Sequence, residues 1–398
     1  MKVAISAVQF SSQMSGVQRH AANVARCLIS LPDVELVHFV IGPWQRAAVE
    51  DSNLATMPRV ELHTADVKQS LVDRNLWHYQ RLPDLVGRLQ PDVMHLAFPV
   101  PVQSAAFACP LVVTLHDVYP YEIPGNFGFP KVLFNQLILQ QCLRSVDAIA
   151  CVSNTTASRL PQYTPASVWA KAIRIYNCVE PENTCATSSP VFGLSGKPFL
   201  LTVAQHRKNK NIPLLLRVLH CLLARRSVDQ GMKLLVVGIR GPETQTIQRL
   251  VTTLHLEDRV VFVEGISDAE LQWCYRNCEA LLAPSETEGF GLPVAEALLA
   301  GCRIACSDIA TFREIDPGAH CLYVPLGAGA EARFSDAIPR LLQQPLPAPL
   351  PLPQFSAGVL AGQYLALYKT LLAAPSRFRA CTAAKRASPI GVAASEGP

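Results

Sequence analysis

The sequence predicts an α/β protein of two similar parallel-sheet domains, and three observations predict it. Short apolar runs alternate with segments of helical spacing over residues 3–153, and the same alternation resumes over residues 199–308. Between the two series, residues 181–198 (PENTCATSSPVFGLSGKP) are rich in Pro, Ser, Thr and Gly, the composition of a linker. The 398 residues are too many for one ordinary core and suit two.

The elements follow in order. VAISAV (3–8) reads as a strand. Residues 17–31 have helical spacing, with Val17, Ala21, Val24, Ala25, Leu28 and Leu31 on one side. VELVHFVIG (34–42) is a strand and DLVGRLQ (84–90) a helix. DVMHLA (92–97), LVVTLHD (111–117) and AIACVS (148–153) are short buried strands, with a helix over 130–146 before the last. Apolar runs separated by helices mark a parallel sheet covered on both faces, because crossover connections put helices there. The second series reads FLLTVA (199–204), a helix from Ile212 to about Arg225, KLLVVG (233–238), a helix near 243–254 and VVFVEG (260–265). AELQWCYRNC (269–278), ALLAPS (280–285) and RIACSD (303–308) complete it. A stiff Pro-rich connector (343–354) then precedes a helix over 355–374. Residues 375–398 are small, polar and basic, and are expected to be disordered.

Hydrophobic residues make up 49% of the chain and charged residues 17%, ample material for buried cores. A net charge of +4 does not point to nucleic acid, though it permits contact with acidic lipid or anionic ligands. The start, MKVAISAVQF, reads as a strand and not as a signal peptide. No run reaches the ~18 apolar residues of a membrane span. The expectation is a cytoplasmic protein, at most peripheral on the inner face of the membrane. The 13 cysteines fall mostly in apolar segments, and Cys274/Cys278 and Cys302/Cys306 lack zinc-ligand spacing. They read as buried thiols.

The chemistry concentrates in PSETEGFGLPVAEALLAG, Pro284 to Gly301. Gly289, Gly291 and Pro293 forbid a regular helix through Glu288 to Leu292. Pro293 suits the first helical position, and Gly301 suits a helix stop. Glu288 is therefore expected on a loop at a strand's carboxyl end, and Glu296 in the first turn of the helix that follows. Ligands of open α/β sheets bind at that end. Exposed loop N–H groups and a helix start attract anions, but the helix dipole contributes only about 0.3–1 kcal/mol, so a diphosphate also needs cations. Two carboxylates facing such an anion would repel it. Their natural partners are hydroxyl groups, and a diphosphate flanked by hydroxyls is a nucleotide sugar. A Glu in a first turn can also simply complement the dipole, so the motif gains force from its context.

Glu288, seven residues and Glu296 resemble the E-x7-E signature of the retaining glycosyltransferases of family four, which have the GT-B fold of two Rossmann-like domains facing each other across a cleft. The segment 284–308 is similar to that family's most characteristic stretch through Gly289, Phe290, Gly291, Pro293, Glu296, Ala297 and Gly301. LTVAQHRKNKNIPLLL (201–216) resembles its phosphate-binding stretch, usually Gly-Arg followed five residues later by Lys. Lys210 falls at the Lys. Ala204 and Gln205 stand where the family has Gly and Arg, and Arg207 is the candidate for the missing charge. SGVQRH (15–20) resembles a Gly-rich turn of which only Gly16 remains. His116 falls where the family places a His near the transferred sugar, and Gly265 to Ser267 where a loop lies near the nucleobase. IYNCVEP (175–181) resembles a closing strand, and 355–374 the terminal helix that crosses back to the first domain.

The resemblance implies an acceptor domain over 1–180, a linker over 181–198 and a nucleotide-sugar domain over 199–345. It implies a transferase that moves a sugar from a nucleoside diphosphate to a glycan or lipid-linked acceptor with retention of configuration. Lys210, Glu288, His116 and Arg207 would be catalytic. Gly16, Gly265, Gly289, Phe290, Gly291, Leu292 and Glu296 would bind the donor. No metal and no cofactor beyond the donor is expected, in keeping with the lack of an Asp-x-Asp triplet. Arg74, Arg81, Arg88, Lys131 and Arg144, with the apolar face of the 130–146 helix, are candidates for contact with acidic lipid. The alternatives are a nucleotide-sugar epimerase on the same fold and a non-enzymatic sugar-nucleotide-binding protein.

Overall fold

The structure is a computed structural model that describes residues 1–12, 15–180, 194 and 196–374. The predicted tail 375–398 and nearly all of the predicted linker lie outside the described residues. The first series contributes β1 (Lys2–Ser6), β2 (Leu36–Ile41), β3 (Val60–Thr64), β4 (Val93–Leu96), β5 (Leu111–Leu115), β6 (Ala148–Cys151) and β7 (Ala172–Arg174). They form one parallel seven-stranded sheet in the order β3-β2-β1-β4-β5-β6-β7. The second contributes β8 (Phe199–Val203), β9 (Lys233–Val237), β10 (Val260–Val263), β11 (Ala280–Ala283), β12 (Ile304–Ser307) and β13 (Leu322–Val324). These form a parallel six-stranded sheet in the order β10-β9-β8-β11-β12-β13. The strand order reverses between β1 and β4 and again between β8 and β11. Such switch points open a crevice at the carboxyl ends of the strands.

Each sheet carries a core on both faces, which explains the continuous apolar runs. Val3, Ile5, Val37, Phe39 and Ile41 pack on one face of the first sheet, under the Gly16–Ile29 and Ala357–Ala373 helices. The second of these supplies Leu360, Ala361, Tyr364, Leu367 and Tyr368, so the chain's last described helix completes the first domain's core. The other face buries Ala4, Val40, Met94 and Val113 against Trp77, Leu82, Leu139 and Leu143. The second sheet is covered by Leu215, Leu219, Phe334 and Ile338 on one face, and by Tyr275, Val294, Phe312 and Phe355 on the other.

Two expectations are corrected, and one strand is added. Residues 175–180 are not a strand: the last strand of the first sheet is β7, just before them. The segment instead ties down the terminal helix, with Val179 N–H donating to Phe355 O (2.9 Å) and Glu180 Oε1 accepting from Ala357 N–H (2.8 Å). The edge strand β3 is absent from the sequence reading, because VELHT is partly exposed and mixes polar with apolar residues. Arg74 is not available to lipid. Its guanidinium lies over the Phe98 ring, and burial pushes its pKa down to about 10.

Candidate active site

The Glu288 loop follows β11, beside the second switch point. Gly291 has φ +91°, and a Cβ there would lie 2.7 Å from the Phe312 ring, so only glycine fits. The Leu292–Ala300 helix starts directly after it, with Pro293 at its second position, where a missing N–H is harmless. Gly301 ends the helix at φ +73°. Glu296 is consequently its fifth residue, one turn in, and not in the first turn as the sequence suggests. It does not complement the dipole. Tyr275 Oη donates to its Oε2 (2.7 Å), and Arg19 Nη1 of the first domain lies 3.6 Å from Oε1. Burial raises the Glu296 carboxyl, and Arg19 opposes that rise. Phe290 turns into the core against Tyr176 and Phe355, and Leu292 is partly buried beside it. Phe290 can therefore meet a donor through its backbone N–H only.

Lys210 closes the short turn Lys208–Lys210 after β8, on the other strand of the switch point. Its Nζ lies 2.5 Å from Oε1 of Glu288, which is only 6% exposed. The loops are tied as well: Glu286 N–H donates to Asn209 O (2.8 Å) and Asn209 Nδ2 to Thr287 O (3.3 Å). Thr202, Lys210, Ser285, Glu288 and Pro293 line one narrow crevice.

The first domain reaches the same loop. Tyr119 Oη lies 3.3 Å from both Glu288 Oε2 and Thr287 O. Arg159 Nη1 donates to Glu288 O (3.3 Å), and its Nε pairs with Glu122 Oε1 (3.0 Å). Thr287 Oγ1 donates to Glu122 Oε2 (3.2 Å), and Ser153 Oγ to Gly289 O (2.5 Å). A Cβ on Gly289 would fall 1.7 Å from His116 O, so the two domains meet backbone to backbone there. On one flank Glu314 of the second domain caps the Asn154–Tyr163 helix, accepting from the N–H groups of Asn154 (2.6 Å) and Thr155 (2.9 Å). On the other, Arg19 pairs with Asp268 (2.7 Å).

His116 follows β5. Its Nε2 donates to Ala97 O (2.9 Å), and burial lowers its pKa to about 4. It is therefore a neutral imidazole whose Nδ1 is an acceptor. Asp117 accepts from Tyr119 N–H (3.0 Å). Burial raises its pKa to about 6; the Arg207 charge works against the rise, while Glu122 and Glu288 add to it. Arg207 thus acts across the cleft on the first domain's acid, and it forms no ion pair among the described residues. Gly16 opens the helix whose N-cap is Ser15, capped reciprocally by Gln18, and open space surrounds it. Gly265, at φ +72° and also in open space, precedes the capped start of the Asp268–Asn277 helix. Lys210 and Glu288 meet directly; Glu296 reaches the seam through Arg19, and His116 through its backbone at Gly289. Gly16 and Gly265 sit on the helix starts nearest Arg19 and Asp268.

Sequence reasoning misses Arg19, Tyr119, Glu122 and Arg159. The Ser15-x-x-Gln18 capping pattern is a readable signal that places Arg19 in the first turn of its helix. The other three carry no motif.

The family models match this architecture lobe by lobe. "Glycosyltransferase Family 4" matches residues 14–183 and "Glycosyl transferases group 1" matches residues 187–345. The chain belongs to the family-four, group-1 glycosyltransferases, and its two facing parallel-sheet domains are the GT-B fold. It is 28% identical over 205 residues to the O-antigen chain mannosyltransferase RfbU of Salmonella typhimurium, covering 51% of this chain and 53% of that protein. It is 25% identical over 211 residues to O-antigen chain mannosyltransferase B of Escherichia coli, covering 51% and 54%. The chain thus spans about half the length of these curated relatives. Among solved structures, WaaG, a glycosyltransferase involved in lipopolysaccharide biosynthesis, aligns with a TM-score of 0.65 at 17% identity, over 93% of this chain and 97% of that one. HepE of Anabaena, solved with UDP and glucose, aligns at 0.63 and 16%, over 98% and 100%.

Proposed function

We propose that this protein transfers a sugar from a nucleoside diphosphate to a glycan or lipid-linked acceptor of the O-antigen type, with retention of anomeric configuration. The observation that carries the reading is the Lys210–Glu288 pair at the second sheet switch point, with Glu296 of the helix that follows also turned toward the first domain. Each glutamate is also met there by a group from the opposite domain. The mannosyltransferase names of the relatives and the UDP bound to HepE support the donor class. Retention rests on family membership.

Lys210 Nζ would neutralise the charge that develops on the leaving phosphate as the glycosidic bond breaks, a fixed cation worth most in a closed site. Glu288 would hold it in place, then accept from sugar hydroxyls. Glu296, one turn into its helix, would accept from the ribose, and Arg19 would yield or share it. Neutral His116 would accept a sugar hydroxyl through Nδ1. The N–H groups of Gly289 to Leu292 and the helix start complete the phosphate site. The contact of Gly289 with His116 O keeps water from the donor when the domains meet. The proposed reaction uses no metal at this site.

Phe129, Leu133, Phe134 and Leu137 are exposed on or beside the Lys131–Ser145 helix. They support the reading of a peripheral protein that takes a lipid-linked acceptor at an anionic membrane surface. No helix among the described residues is long and apolar enough to cross a membrane.

The test is a thermal-shift panel of nucleoside diphosphates and their sugars, followed by transfer to a lipid-linked oligosaccharide and assignment of the product's anomeric configuration. Selective binding of one nucleotide and a retained anomer are expected. Inversion would remove the retaining mechanism, and binding with no nucleotide release would make the protein a sugar-nucleotide-binding module.

A further inference from the structure

At the far edge of the first sheet, away from the seam, three side chains from two neighbouring strands converge. β2 and β3 pair in register His38 with Glu61 and Val40 with His63. Side chains alternate across a strand, so His38, Glu61 and His63 share one face of the sheet. Their polar atoms close a triangle. His38 Nδ1 is 3.0 Å from His63 Nε2 and 3.2 Å from Glu61 Oε2, and His63 Nε2 is 3.6 Å from the same oxygen. In a tetrahedral zinc site with bonds of about 2.0–2.1 Å, ligand atoms stand about 3.3 Å apart. The three edges match that spacing to within a few tenths of an ångström.

The chemistry of the donor set fits as well. Two imidazoles and one carboxylate are a borderline-soft set that suits Zn2+ and its late first-row neighbours. Each ring turns one nitrogen toward the other and toward the Glu61 carboxylate, so all three ligand atoms face one point. His38 is 5% exposed and its Nε2 has no partner among the described residues, so the ring's polar engagement is through the nitrogen facing Glu61 and His63. Glu61 is exposed, which gives a cation a path in from solvent. Lys2 of the neighbouring strand β1 stands 3.7 Å from Glu35. No catalytic role accounts for this cluster.

We propose that His38, Glu61 and His63 form a zinc-binding site that clips the edge strand β3 to β2, with a fourth position open to water. An edge strand pairs on one side only, and a cation shared between two strands anchors it without adding length.

The test uses the full chain, stripped with a chelator and titrated with zinc against a chromophoric competitor, and with Co2+ as a spectroscopic probe. The wild type should bind one zinc that His63→Ala and Glu61→Gln weaken at least about tenfold each, the least that loss of a ligand should cost given the effect of second-shell losses. Cobalt should show ligand-field bands of a low-coordinate N/O site, and these should vanish in His63→Ala. Zinc should also raise the wild-type melting temperature, with no rise in His63→Ala. Because His63 and Glu61 are not fully buried, both variants should fold, as unchanged circular dichroism would verify. Zinc affinity equal in the wild type and His63→Ala would overturn the site, since any remaining binding would then belong to the cysteines. Failure of the wild type to compete with the chelator would overturn it equally.

Discussion

The two sides of the seam are built differently. The second domain's side comes from two short segments, Arg207 to Lys210 and Glu288 to Glu296, each placed by a strand end and a helix start. The first domain's side is assembled from three segments: Arg19 on its first helix, the stretch from His116 to Glu122 after β5, and Arg159 on the Asn154–Tyr163 helix. Diphosphate chemistry constrains the first kind. In the proposed donor site it needs backbone N–H groups and glycines in one compact loop and a fixed ammonium on the loop beside it, so each of the two segments is compact in sequence. An acceptor-side wall has no such requirement and can be met by any chain that fills the space. The difference teaches which side carries a sequence motif: the cradle does, even with Ala204 and Gln205 in place of the family's Gly and Arg, and the wall does not.

Substitutions in the cradle should have the largest effects. Lys210→Ala should lower turnover roughly 10²–10³-fold, as loss of a preorganised charge-stabilising donor does. It also strands a buried carboxylate, so a stability loss approaching about 3–5 kcal/mol is expected in denaturant titration. Rates within a few-fold of wild type would move Lys210 out of the mechanism. Gly289→Ala breaks the comparison differently, because its methyl would run into the first domain's backbone at His116. Transfer should fall roughly 100-fold through misplacement of the domains, with little change in donor binding. Intact activity would show that the domains need not meet at that point.

Next comes the wall. Burial pushes the Asp117 carboxyl up to about 6, against 3.8 for an unperturbed aspartate side chain. Between those values the folded state holds the proton more tightly than the unfolded state, so this group makes stability fall as pH rises through that window. The difference corresponds to about 3 kcal/mol. Asp117→Asn should therefore be more stable than wild type at pH 7, by up to that amount, with the gain fading below pH ~4. A gain independent of pH would contradict the burial argument. At the far end of the cradle, Glu296→Ala should weaken donor binding by about 1.5–3 kcal/mol, the worth of a charged hydrogen bond. The smallest effect belongs to Arg19→Ala, which removes two partly exposed ion pairs between the domains. A change of about 1 kcal/mol or less in donor affinity is expected by calorimetry.

Much of the fold is legible because buried parallel strands announce themselves: LVVTL and KLLVV have no other economical reading. The edges are not. VELHT is half exposed, so neither the strand nor the His38–Glu61–His63 cluster that it helps to form stands out in the sequence. IYNCVEP reads as a strand by resemblance, yet its backbone pairs with the terminal helix segment. In the site, Lys210 and Glu288 are legible as residue types at fixed places along their loops. Their direct contact is not, since it depends on how two loops after different strands lean on each other through Asn209 and Thr287. Nor can sequence show that Glu296 is held by Tyr275, which lies on the preceding helix.

The most direct test of the central claim is calorimetric titration of the nucleotide sugar selected by the panel into wild type, Lys210→Ala and Glu296→Ala. Binding at one site in the wild type, clearly weakened in both variants, is the predicted result. Equal affinity in all three proteins would mean that the donor lies elsewhere and that the Lys210–Glu288 pair only holds two loops together.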